Sequence, residues 1–155
     1  MRLLARAAIA ALSLAFAASP AAARDAIPAE HQGDWVPASG GCDSAVRLRV
    51  AEEQLTLRNG SDSQTWGNVA IPQTFFGPDY TGNSVVALPD WDGEQPFTVF
   101  FNADEKPGVT RVDIYHEMKG PQNAQLQAIQ AKAKKLAERF PLNGVPLKKC
   151  AAKPS

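Results

Sequence analysis

Between residues 33 and 118 the chain is a succession of short runs in which apolar and polar residues alternate, each closed by turn formers. Val46, Leu48 and Val50 fall on one side of such a run and Arg47 and Arg49 on the other; Leu55 and Leu57 repeat the pattern up to Asn59-Gly60. A period of two belongs to a strand with one buried and one wet face, and Asn-Gly is a strong hairpin pair. Further strands are predicted at 33–36, 64–71, 84–88, 97–102 and 109–118, with Trp35, Phe97, Val99, Phe101 and Ile114 placed in the interior. Connections of a few residues force successive strands to pair antiparallel.

The stretch 72–83 interrupts this meander with Phe75, Phe76 and Tyr80 set among Pro72, Gly77, Pro78 and Gly82, and reads as a structured aromatic loop. Beyond Gly120-Pro121 the period changes. Leu126, Ile129, Ala133, Leu136 and Phe140 recur at steps of three and four, the stripe of a helix over about 121–140 that Pro141 and Asn143-Gly144 end. A helix of about five turns is unstable by itself, so its stripe is expected to pack on the sheet. The expected fold class is mainly β (α+β): a small antiparallel barrel or curled sheet of about six to eight strands with one C-terminal amphipathic helix packed on it.

Arg2, Arg6, the apolar run 7–18 and Ala21-Ala22-Ala23 together have the pattern of a secretory signal peptide, 1–23, with cleavage expected near Ala23. That run is about 12 residues, short of the roughly 20 that cross a bilayer, and no transmembrane span is expected. The mature chain then divides into a flexible lead-in at 24–32, a single domain at 33–150 and a disordered tail at 151–155. The Ala-rich leader favours a bacterial periplasm, or secretion, with a soluble product. In such an oxidising compartment Cys42 and Cys150 read as a disulfide, since neither a C-x-x-C spacing nor a nearby His pair suggests redox or metal chemistry. Closing a loop of that length would stabilise the fold by about 4–5 kcal/mol in the chain-entropy account.

Charge is unevenly divided. Residues 24–118 hold 6 basic and 15 acidic side chains, whereas 119–155 hold 8 basic and 1 acidic. Either the basic helix docks on its own acidic body, or it offers a surface to an anionic partner. Nucleic acid is not expected as a partner of an exported chain that lacks any recognised nucleic-acid module.

Imidazole bases are limited to His31 and His116. The chain has no G-x-S-x-G elbow, H-E-x-x-H helix or phosphate-binding glycine loop, so no catalytic residue and no cofactor is assigned. Asp90, Asp92 and Glu94 crowd around Trp91 without the later bidentate Glu of a calcium loop and read as a solvated acidic turn, so no metal is assigned. His116 shares strand parity with Thr110, Val112 and Ile114, which puts it at the mouth of a cavity or, more simply, at a strand end bonded to backbone or water. Phe75, Phe76, Tyr80 and Trp91 lie in connections at opposite ends of the 84–88 strand, as plugs of the interior or as a patch for a partner. The ligand-binding candidates are thus Trp35, Phe75, Phe76, Tyr80, Trp91 and His116, and the basic-surface candidates Lys132, Lys134, Lys135, Lys148 and Lys149.

Gly33-Asp34-Trp35, at the start of the first strand, resembles the G-x-W signature that opens lipocalins and related calycin barrels. That resemblance implies a Trp packed across a closed barrel end beside a basic residue from a late strand, a place for Arg111 or a residue of the terminal helix. It also implies a helix after the strands, tied by a disulfide. The rest of the chain is similar to small uncharacterised exported proteins of Gram-negative bacteria, a likeness that implies no activity.

The function these features lead us to expect is a non-catalytic periplasmic binding protein for an apolar small molecule or an envelope protein partner. The alternative is a cell-envelope protein whose basic C-terminal helix contacts anionic lipid or glycan. A hydrolase with an unrecognised site is the third and weakest reading.

Overall fold

A computed structural model of the chain describes residues 26–71, 85–89, 96–103, 106–114 and 123–151. Among the described residues, nine strands and one helix follow a short 3-10 turn at Ala29–His31. They are β1 (Gly33–Pro37), β2 (Val46–Val50), β3 (Leu55–Asn59), β4 (Asp62–Trp66), β5 (Val69–Ala70), β6 (Val85–Pro89), β7 (Phe97–Phe101) and β8 (Thr110–Ile114), then α1 (Ala124–Arg139) and β9 (Pro146–Lys149). Every strand pairing is antiparallel, in the order β4-β3-β2-β1-β9-β8-β7-β6-β5.

The register follows the alternation. Leu48 faces Leu57 and Val50 faces Leu55 on the buried side of β2 and β3, while Arg47 faces Arg58 outside. Asn59 pairs with Asp62 across a tight turn in which Gly60 takes a φ of 63°, the left-handed value that glycine adopts without strain.

The two edges of the sheet are consecutive in sequence. β4 pairs with β3, β5 pairs with β6, and only Gly67 and Asn68 lie between β4 and β5. Two residues bridge about 10 Å at most, so the sheet has to curl until its edges meet, giving a nearly closed barrel. Asn68, with φ 58°, makes the corner. One predicted return strand at 64–71 is therefore two, each with its own partner. A second addition is β9, which enters between β1 and β8 and opens with Pro146, a residue tolerated at a strand start because no N–H is required of it there. The count is nine where about six to eight were expected, and these two elements account for the excess.

Asn123 caps α1: its side-chain oxygen accepts from the Leu126 N–H at 2.8 Å, so the helix starts at Ala124, three residues inside the predicted 121. Ala133, Leu136 and Phe140 of the predicted stripe are buried and Leu126 and Ile129 are half-buried, against β8 among other elements. After the helix, Leu142 is fully buried, the Asn143 Oδ1 accepts from Ile114 N–H at 2.6 Å, and Gly144 N–H donates to the Val112 carbonyl. Phe140 and Leu142 thus enter the same apolar cluster as Leu48, Leu57, Phe97 and Val99.

The segment 26–32, expected to be a flexible lead-in, is instead packed on the barrel. Ile27 and His31 are buried, and Ile27 N–H donates to the Glu52 carbonyl. An apolar residue and an imidazole spaced one helical turn apart, next to Pro28, are enough to cap the end at which β1 starts. Among the described residues no helix is long and apolar enough to cross a membrane.

Candidate functional site

Two regions carry chemistry-bearing side chains: the capped barrel end and the wall beside it. At the end, the His31 ring stacks on Phe101 with centroids 4.6 Å apart, and Trp35 leans on the same Phe101 at 5.9 Å. The Trp35 indole N–H donates to the His31 carbonyl at 2.8 Å, which satisfies the one polar atom of a buried indole. Lys149 lies opposite Trp35 on β9 and its Nζ donates to the Glu30 carbonyl at 2.7 Å. Gly33, with φ 123°, lets this lysine pass: a Cβ there would lie 3.2 Å from the Lys149 Cε.

Burial holds the His31 pKa below the usual 6.5; Glu30 pulls it up and Lys149 pushes it further down. The imidazole is therefore neutral at physiological pH and serves as an aromatic plug. The G-x-W resemblance implies Arg111 or a residue of the terminal helix as the cation near Trp35. Arg111 instead points outward, bonded to Asp113 at 2.8 Å and lying over the Phe100 ring, because its strand parity is opposite to that of Val112.

The wall beside this end is formed by the outward side chains of β1 and β2, the 38–45 connection and the residues after β9. An open groove of about 1180 Å³ runs along it, lined among others by Asp34, Asp43, Arg47, Arg49, Lys149 and the disulfide. The Cys42–Cys150 bond is formed, with Cα atoms 5.7 Å apart, and closes a span of 108 residues. Arg47 is braced: its Nε donates to the Ser44 carbonyl at 3.1 Å, its Nη2 donates to the same oxygen, and its Nη1 lies 4.0 Å from Asp34. The Asp43 carboxylate folds back over Gly41, into the space a side chain there would need.

Trp35 is an interior residue, 2 % exposed. Phe75, Phe76, Tyr80, Trp91 and His116 lie outside the described residues. Lys132, Lys134 and Lys135 are exposed on α1, whereas Lys148 and Lys149 stand on β9, so the five lysines belong to two separate elements. The helix does dock partly by charge: Arg139 Nε donates to Asp62 at 2.6 Å and its Nη1 to Gln64 at 2.7 Å, and this hydrogen bonding holds the Asp62 carboxyl below the usual carboxylate range. The groove has no signature in the sequence. The outward parity of Arg47 and Arg49 was legible; the proximity of Lys149 and Cys150 comes from the pairing of β1 with β9.

Comparison with protein-family models, with curated proteins and with solved structures gives no match to this chain.

Proposed function

We propose that this chain is an exported binding protein that engages its partner on the outer wall of its barrel. One observation supports surface recognition over enclosure of an apolar ligand. Leu48, Leu57, Val99, Phe101, Val112 and Leu142 each have 0 % exposure, so no water-sized void adjoins them. A small-molecule pocket is ordinarily a hollow of about 300 Å³ or more, and among the described residues these six core side chains line none. The groove beside the disulfide supplies an alternative surface, with charged groups and a wall held by a covalent bond.

The test is titration of the oxidised protein with a fatty acid and with an apolar fluorophore. Surface recognition is supported by the absence of stoichiometric uptake and by unchanged emission of the buried Trp35 and Trp66. One equivalent of apolar ligand taken up with a shift in that emission would overturn it. Export is tested separately, by N-terminal sequencing of material from the envelope, with Arg24 expected as the first residue.

A second reading has its own observation. Lys132, Lys134 and Lys135 are exposed on α1 while Ala133 and Leu136 are buried beneath it, the arrangement of a docked helix with a cationic outer face. Anionic lipid or glycan is the partner it would suit. Retention on anionic vesicles, lost when the three lysines are replaced by Ala, would favour it.

A further inference from the structure

We infer that the groove along β1 and β2 binds an extended acidic peptide, with the Arg49 guanidinium as the anchoring contact. The inference rests on the surface-binding reading and names the chemistry of its partner. Strand alternation sends Arg47 and Arg49 outward from the same face of β2, two residues and so about 7 Å apart. Carboxylates on every second residue of an extended peptide repeat at the same interval, so a peptide lying along β2 meets both in step.

Arg58 stands directly opposite Arg47 on β3, on the same outer face. Like charges directly opposite one another destabilise a sheet, and an anion lying over them removes that cost. The groove lining holds the carboxylates Asp34 and Asp43 against the cations Arg47, Arg49 and Lys149, so its charge stays positive by one. Asp34 stands opposite Arg49 in the sheet, and its carboxylate lies 4.0 Å from the Arg47 Nη1. Arg49 is exposed and has neither a hydrogen bond nor an ion pair with any described residue, so its planar fork is intact for a bidentate carboxylate. Across β1 from β2, Lys149 spends one N–H on the Glu30 carbonyl and keeps two. A volume of about 1180 Å³ exceeds what a single small anion fills and suits several residues of extended chain. The Cys42–Cys150 bond ties the connection that braces Arg47 through Ser44 to the end of β9, which fixes the cationic wall before any partner arrives.

The experiment is fluorescence anisotropy with a labelled peptide that alternates Glu and Ser, added to the oxidised mature chain at low salt. Saturable binding is expected, weakened about tenfold or more near 0.5 M salt, where surface charges are screened. Arg49→Ala is expected to weaken it about tenfold, Arg49→Lys less, because the lysine keeps charge without the fork. Lys134→Ala with Lys135→Ala on the helix is expected to leave it unchanged. If Arg49→Ala binds as the parent does, or the helix variant alone loses binding, the groove assignment fails while surface recognition stands. If anionic vesicles or tripolyphosphate bind through Arg49 and the peptide does not, the peptide assignment is overturned. If nothing anionic binds and an apolar ligand is taken up at one equivalent, the surface reading falls as well.

Discussion

The His31 imidazole lies flat on the Phe101 ring, 9° from parallel, and with the buried Ile27 it holds the segment before β1 on the barrel. The contact joins residues far apart in sequence, beside the Ile27 N–H to Glu52 carbonyl bond that holds the same segment.

Acidification should loosen this grip. Burial lowers the His31 pKa in the folded state, so the unfolded chain binds a proton first as pH falls below about 6.5. Stability from this group is complete above that value and declines as pH drops from it toward the folded pKa. Thermal melts at pH 7.5 and pH 5.5 should show a lower midpoint at the acid value. His31→Phe keeps a stacking ring without a titrating nitrogen and should flatten that part of the profile; an unchanged slope would contradict the assignment.

Phe140 packs at 0 % exposure where α1 meets the barrel cluster. Phe140→Ala should cost about 3–5 kcal/mol, the range for an aromatic removed from a close-packed core. Urea titration should show a lower midpoint with the same slope. A changed slope would mean instead that the helix has left the barrel.

Replacing Cys42 and Cys150 together with Ala should destabilise by about 2–5 kcal/mol, because the bond closes a long loop. The native far-ultraviolet circular dichroism should persist at low temperature, since the strands that meet there are also joined by hydrogen bonds such as Cys150 N–H to the Asp34 carbonyl.

Asn123→Ala should cost about 1 kcal/mol, with Asn123→Ser recovering most of it, as expected when a side-chain oxygen caps a helix N-terminus. Hydrogen exchange at the first turn of α1 would show the loss locally. Equal exchange in both variants would mean that the cap contributes nothing.

Much of this architecture was legible in the residues. Alternation around Leu48 and Leu57, and the turn at Asn59-Gly60, contain the β2-β3-β4 meander, because period and turn chemistry are local properties. The stripe Ala133, Leu136, Phe140 contains the packed face of the helix for the same reason. What escaped was set by partners distant in sequence. Pro146–Lys149 is too short, and too polar at Lys148-Lys149, to announce a strand; it becomes one because β1 and β8 both offer edges to it. The break at Gly67-Asn68 is likewise visible only once β3 and β6 claim different halves of the return strand. The groove depends on β9 placing Lys149 and Cys150 beside β1, across that strand from Arg49, so it could not be read from spacing along the chain.

The slot that β9 fills has a bearing on when this protein can take shape. Until residues 146–149 arrive, β1 and β8 each present a bare row of amides, and the cylinder stays unzipped along its length. Completion therefore waits for the last of the described strands in chain order, and topologies joined this way are assembled late. A growing chain with that habit stays pliable until β9 has been made, and only then sets into its cylinder.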